Sequence, residues 1–313
     1  MAPLAAGGCD ANDDDVNDQF VEDNAAPLPN EVIRTVEDGK EVISFRKVLP
    51  NGISLNGISL NGPDFTDWLL NDLPDIVDLK VSADGKLMVR KPNEEYKTSR
   101  KEDKIAVRFK IDGVTYRLKI TEFEDAGTLQ FMRVRYRQID ELIWHDACLD
   151  PEGNPVKTVI VPGSYDPMTG DRVADTSKTI WACRGTSIAK ATEMGYEADD
   201  PYHEALTRVF RADYCYNGTP HTISGTPVDI ETDDDLHTSE TDWPLEAVWG
   251  ADGLLCLNDP RKTNWDRDNI GCLDENNEAY QPPACDDGIH SETYWVNHPD
   301  ALIVTRAIPS DPD

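Results

Sequence analysis

Residues 105–120 read Ile105-Ala106-Val107-Arg108-Phe109-Lys110-Ile111-Asp112-Gly113-Val114-Thr115-Tyr116-Arg117-Leu118-Lys119-Ile120. Apolar side chains alternate with polar ones on both sides of Asp112-Gly113, the period of a half-buried strand. Asp-Gly between two such runs predicts a two-residue hairpin, because a type I′ turn needs positive φ at both central positions. A third strand is expected near Leu129 to Ile139, carried by Val134 and Tyr136, and a fourth near Leu142 to Ala147. The predicted fold class is α+β and β-rich: an antiparallel β-meander, then a loop-rich, disulfide-stapled domain with two or three short helices. The expected divisions are an acidic tether (1–27), an extension (28–74), the meander (75–140) and a cysteine-rich domain (141–313).

The 313 residues carry 30 basic and 60 acidic side chains, a net charge of -30, and 39% hydrophobic residues. That apolar content builds a core, and the charge repels phosphate backbones, so nucleic acid is excluded as a natural partner. No apolar run is long enough for a transmembrane helix. Residues 86–137 are the exception in charge, with 14 basic and 8 acidic side chains. Their Lys and Arg alternate with apolar residues, so the expectation is a solvated sheet face, with an anionic partner as the alternative.

Met1 to Gly8 is small and weakly apolar and ends in Ala-Ala-Gly-Gly before Cys9. This resembles the end of a bacterial lipoprotein signal, whose cysteine is lipidated and becomes the mature N-terminus. A secretory signal needs a basic region and about 7 to 15 apolar residues, so lipidation of Cys9 requires leader residues upstream of Met1. The plain alternative is a soluble protein with a stray cysteine. Residues 10–27 hold Asp10, Asp13, Asp14, Asp15, Asp18, Glu22 and Asp23 without a basic residue, the composition of a charge-extended tether.

Residues 51–65 repeat with period five: Asn-Gly-Ile-Ser-Leu twice, then Asn-Gly-Pro-Asp-Phe. This resembles pentapeptide-repeat sequence, but three units do not complete one coil of such a solenoid, so an extended ladder against the body is expected. Residues 64–73 have helical spacing and end before Pro74. Farther on, Ser187 to Met194 reads as a helix closed by Gly195. A second opens at Asp200-Pro201, with Tyr202, Leu206, Val209 and Phe210 on one stripe. Beyond Cys215, loops dense in Pro, Asn and Asp are expected.

Seven cysteines stand at 9, 148, 183, 215, 256, 272 and 285. With Cys9 set aside for a lipid, six remain, an even number suited to three disulfides and an oxidising compartment. None forms the CxxC pair of a zinc or redox site. Six buried free thiols in a reducing compartment is the competing reading.

Arg211-Ala212-Asp213-Tyr214-Cys215 is preceded by Tyr202-His203 and Thr207-Arg208. It is followed by Asn217-Gly218, His221-Thr222 and Gly225-Thr226-Pro227-Val228-Asp229. With Cys183-Arg184-Gly185, Gly195-Tyr196 and Glu246-Ala247-Val248-Trp249 leading to Gly253 and Cys256, this set resembles the ADYC-domain proteins over residues 100–285. The resemblance implies a bacterial protein that is secreted or lipid-anchored. Ala191 and Leu206 stand where family members often carry cysteine, which implies a lost bridge between the two helices. With that bridge gone, the resemblance implies pairing Cys148 with Cys183, Cys215 with Cys256, and Cys272 with Cys285, among fifteen connectivities.

His203, Asp213, Cys215 and His221 hold the ingredients of a cysteine nucleophile, its base and an orienter. The favoured expectation is instead a half-cystine at Cys215, with Asp213 and Tyr214 fixing a helix-exit turn. His203-Glu204 begins like HExxH, but Thr207 occupies the second ligand position. Calcium is the one cofactor with any pattern. Asp10, Asn12 and Asp14 have EF-like spacing without the loop's Gly and closing Glu, and Asp233 to Asp235 reads as a solvated acidic run. Asn217-Gly218-Thr219 reads as a turn. Trp144, Trp181, Trp243, Trp249, Trp265 and Trp295 are expected mainly in the core. The functional expectation is a cell-surface interaction or assembly module with protein partners and no cofactor, held to the outer leaflet through Cys9. A secreted hydrolase built on His203, Asp213, Cys215 and His221 is the alternative.

Overall fold

The computed structural model describes residues 33–37, 40–44, 58–61 and, with short breaks, 76–308. Cys9, the acidic residues 10–27, most of the five-residue repeat and the expected helix at 64–73 lie outside the described residues, as does Trp265.

In chain order the first strands are β1 (Ile33–Glu37), β2 (Lys40–Ser44), β3 (Ile58–Asn61), β4 (Asp78–Val81), β5 (Leu87–Arg90) and β6 (Lys97–Thr98). The meander region gives β7 (Ala106–Ile111), β8 (Val114–Ala126), β9 (Leu129–Gln138) and β10 (His145–Asp146). Then follow β11 (Thr158–Pro162), β12 (Ser164–Tyr165), β13 (Arg172–Val173) and β14 (Lys178–Cys183). Helices α1 (Ser187–Glu193) and α2 (Pro201–Arg211) precede β15 (Asp229–Thr232), β16 (Leu245–Gly250) and β17 (Gly253–Leu257). A short α3 (Tyr294–Asn297) and β18 (Ala301–Arg306) complete the elements.

The expected hairpin forms. Strands β7 and β8 pair antiparallel with Ile111 opposite Val114, the register of a two-residue connection at residues 112–113. The largest sheet runs β3-β14-β11-β9-β8-β7, with β10 on β9. It therefore draws strands from both sides of the division expected at residue 140, because β11 and β14 complete the sheet that β7 to β9 begin. The fourth strand is shorter than expected. Only His145 and Asp146 pair with β9, while Leu142 and Ile143 are 91% and 70% exposed.

One face of this sheet packs Leu118, Ile120, Met132, Val134, Tyr136, Ile160 and Trp181 against Leu87 and Val89 of the β4-β5-β6 sheet. The opposite face is apolar at one end, where Phe131, Val159, Val161, Ile180 and Ala182 receive Ile188 and Ala189 of α1. Each large side chain so buried contributes about 1.5–3 kcal/mol. Helix α2 lies against α1 and continues into a second sheet, β15-β18-β16-β17, through Leu206, Val209, Trp249, Leu257 and Ile303. That sheet is set among the loops expected beyond Cys215. Its strands are four to six residues long, and β18, last in sequence, sits inside it, so no local pattern announces the pairing.

Both helices start and stop for legible reasons. Asp200 caps α2 by accepting from Tyr202 N (3.0 Å), Pro201 fills the first turn, and Gly195 follows α1 at φ +102°. The expected stripe of α2 is too narrow: His203, Thr207, Arg208 and Arg211 are buried along with Leu206 and Val209. Of the tryptophans, Trp181 and Trp249 are core, whereas Trp144, Trp243 and Trp295 are half-buried.

The three disulfides join Cys148 to Cys183, Cys215 to Cys272 and Cys256 to Cys285. The first pairing agrees with expectation and the other two are corrected. Cys256 stands on β17 beside the chain running through Cys285, as the Leu257 N to Pro283 O bond (2.9 Å) records. Cys215 instead faces the loop of Ile270 and Cys272. Digestion without reductant is expected to yield these three linked peptide pairs. Replacing Cys215 and Cys272 together by serine is expected to lower stability by about 2–5 kcal/mol in urea titration.

Candidate functional site

The expected site residues converge where α2 ends. Ala212 takes the left-handed conformation (φ 51°, ψ 45°) and its N–H bonds back into the helix, which turns the chain sharply into Asp213. Each of the next three residues then ties the exit to a different part of the protein.

Asp213 is fully buried and accepts from Arg208 Nη1 (2.8 Å), Gly218 N (3.0 Å) and Asn217 N (3.2 Å). Burial pushes its carboxyl above the ordinary range, against the pull of Arg208, Arg211 and the two amides. Arg208, one turn earlier, is 1% exposed and also meets Asp171 and Glu204. Its guanidinium lies 3.6 Å from the ring centre of Tyr216. That ring is admitted by Gly253: a Cβ there would stand 2.3 Å from Tyr216 Cε2.

Tyr214 donates to Glu246 Oε1 (2.5 Å) on β16 and accepts from Arg261 N (3.1 Å), while Arg261 Nε donates to the same Glu246 oxygen (2.7 Å). The ring stacks on Trp249 at 5.6 Å. Burial raises the Tyr214 hydroxyl well above the usual tyrosine value, so it acts as a donor. The Sγ of Cys215 is bonded to Cys272 and carries no thiolate.

The histidines are separated. His203 is fully buried on α2, with Tyr165 Oη 2.6 Å from Nδ1 and Thr192 Oγ1 2.9 Å from Nε2. Thr192 donates its own hydroxyl to Ile188 O (3.1 Å), so it accepts from Nε2–H and Tyr165 donates to Nδ1; this bonding pattern assigns a neutral ring. Burial agrees, pushing the imidazole down to about 3. His221 stands between two carbonyls, Ala212 O at Nδ1 and Ile270 O at Nε2, both 3.1 Å away. Burial lowers it as well. Its Nε2 is 3.8 Å from Cys215 Sγ, so of the nucleophile set only His221 and Cys215 adjoin.

The acidic run is not simply solvated. Asp234 accepts from Tyr196 Oη (3.1 Å), Thr232 Oγ1 (2.7 Å) and Leu236 N (3.0 Å), and Asp233 accepts from Tyr202 Oη. Among the described residues no group of three or more His, Cys, Asp or Glu is placed to hold a metal ion. The turn at Asn217-Gly218-Thr219 is present, with Thr219 N donating to Asn217 Oδ1 (2.9 Å).

Sequence reasoning missed Tyr165, Arg208 as the hub, and the Glu246–Arg261 pair. One signal was available: a glutamate inside the apolar run Leu245-Glu246-Ala247-Val248-Trp249 must be paired if the strand is buried. Asp171 and Arg261 had no local signal.

The family model of the ADYC domain matches residues 96–263. The chain belongs to the ADYC-domain family. No curated protein and no solved structure matches it.

Replacing Asp213 with Asn leaves Arg208 buried beside a neutral partner and is expected to cost about 3–5 kcal/mol in urea denaturation. His203 sets a second expectation. Its proton is bound more tightly in the unfolded chain, so stability is complete above pH 6.5 and falls as pH drops toward about 3. Between pH 6.5 and 5 this group accounts for roughly 2 kcal/mol. The difference between wild type and His203→Gln is expected to shrink by that amount over the same interval.

Proposed function

We propose that this ADYC-domain protein is an exported interaction or structural module that works through the surfaces it presents, held to the outer leaflet by a lipid on Cys9. One observation carries the reading. Asp213, Tyr214, Cys215, His203 and His221 direct their polar atoms at other parts of the same chain. Catalytic groups in contrast need a face turned toward a substrate.

The three disulfides support export, since such bonds persist in oxidising compartments. Among the described residues no helix is long and apolar enough to cross a membrane, so membrane attachment by a lipid on Cys9 fits that part of the chain. Protein partners or self-assembly at the cell surface are the expected business of such a module. The hydrolase alternative requires a Cys215 thiolate, and the bond to Cys272 weighs against it.

With a native leader upstream, the protein expressed in a bacterial host is expected in the membrane fraction, and Cys9→Ser is expected to move it to the soluble fraction. Equal fractionation of the two would remove the lipid from the proposal. A folded Asp213→Asn protein that had lost a specific turnover would restore the hydrolase.

A further inference from the structure

The bridge between Cys215 and Cys272 differs from the other two in what lies beside it. Cys215 is half-buried, whereas Cys148, Cys183, Cys256, Cys272 and Cys285 are all buried, so among the bridged sulfurs an incoming group reaches residue 215 first. Asn217 and Thr219, just past it, are exposed. On its inner side stands His221, 3% exposed, with Nε2 3.8 Å from Cys215 Sγ.

The imidazole is held in place without help from the sulfur bond. Nδ1 faces Ala212 O at the end of α2 and Nε2 faces Ile270 O, each at 3.1 Å, and the His221 amide donates to Arg211 O (3.1 Å). Ile270 is itself buried in the cluster of Leu206, Val209 and Trp249, so its carbonyl keeps its place when the bridge opens. A neutral imidazole has one N–H to donate and cannot satisfy two carbonyls, whereas an imidazolium satisfies both. Burial opposes that charge and prevails in the bridged protein, against the pull of the two carbonyls, of Asp213 and of the Thr219 backbone. Asp213 in turn is bonded to Arg208 and drawn on by Arg211, and the Tyr214 ring lies 5.5 Å from the imidazole. The ring therefore has the acceptors of a cation, and a bridged sulfur offers it no counter-charge.

We propose that the Cys215–Cys272 bridge caps a latent thiolate–imidazolium pair of Cys215 and His221, and that a dithiol reductant uncovers it. One thiol of the reductant, as thiolate, attacks Cys215 Sγ; the bond to Cys272 breaks, and Cys272 leaves with the electron pair and takes up a proton. The second thiol of the reductant then displaces Cys215 from the mixed disulfide. The reductant ends as a disulfide, its electron pair has passed to the protein, and of its protons one rests on Cys272 and the other on the His221 ring. Cys215 is left as the anion that the doubly hydrogen-bonded imidazolium needs, and the cation beside it lowers the thiol in return. The bridged protein is inert at this corner, in keeping with an interaction module. The opened one reacts at Cys215 with a partner's disulfide by the same exchange.

The test uses the full chain with Cys9→Ser, so that the bridged cysteines alone are read. Graded dithiothreitol, then iodoacetamide and peptide mass mapping, is expected to label Cys215 and Cys272 at a reductant concentration about three-fold or more below that needed for the other four. The near-ultraviolet circular dichroism of the folded chain is expected to persist at that point. In the protein so opened, Cys215 is expected to alkylate nearly as fast at pH 7 as at pH 9, an interval over which a thiol of ordinary pKa changes by about 25-fold. His221→Gln is expected to slow Cys215 about ten-fold or more at pH 7 while leaving its rate at pH 9 unchanged. Equal opening of the three bridges, an ordinary pH profile at Cys215, or a His221→Gln rate equal to the parent's overturns the proposal. Where His221→Gln does not fold, the parent's profile decides, because a thiol freed by local unfolding follows the ordinary one.

Discussion

The buried pair of Arg208 and Asp213 is the constraint from which the C-terminal half is organised. Two charges cannot be left in an apolar interior unless each is met, and removal of one partner costs more than the pair itself contributes. Asp213 therefore needs the amides of Asn217 and Gly218 as well as the guanidinium. Those amides face it only if the chain reverses within four residues of the helix. The left-handed Ala212 supplies that reversal. Once the turn is made, Tyr214 points to Glu246 and Cys215 to Cys272, so the hydrogen bond to β16 and the sulfur bridge follow from one backbone geometry.

This geometry explains why the family signature is a run of adjacent residues of unlike chemistry. Ala212 is small and sits without exposure at a turn that a β-branched residue would resist. Asp213 has the shortest side chain able to accept from three donors at once. Tyr214 combines an apolar ring on Trp249 with a hydroxyl for Glu246. Cys215 ties the turn to the loop of Ile270 and Cys272. Sited at one corner, the four residues join α2, the second sheet and the Ile270 loop.

Local physics made part of this legible and withheld the rest. The antiparallel pairing of β7 with β8 and the Asp200-Pro201 start of α2 are decided by backbone preferences of nearby residues, and both are present. The helix-exit role of Asp213 and Tyr214 was also visible, because a carboxylate just past a helix end has amides to accept from. The partner of Cys215 was not: Cys256 and Cys272 are both distant in sequence, and the choice is made by the path of the Ile270 loop. The buried polar side of α2 was equally hidden, since His203, Thr207 and Arg208 look solvent-facing until Tyr165, Thr192 and Asp171 arrive from other elements. The sheet containing β18 rests on register between residues 51 to 77 positions apart, which alternation within one short strand does not encode.

The two faces of the large sheet divide the protein's chemistry. The inner face is apolar, and around α2 the polar atoms of Asp213, Tyr214, His203 and His221 are directed at other groups of the same chain. On the other face, beyond the end of α1, Arg133 is matched to Asp146 and Glu122, and Arg135 to the Trp144 carbonyl. In register, Arg117 stands opposite Arg137 and Lys119 opposite Arg135. The like-charged rows are bridged by groups laid across them, Asp146 at Arg133 and Arg135 and the Trp144 ring at Lys119 and Arg137, so this corner too is held by contacts that reach it from another part of the chain.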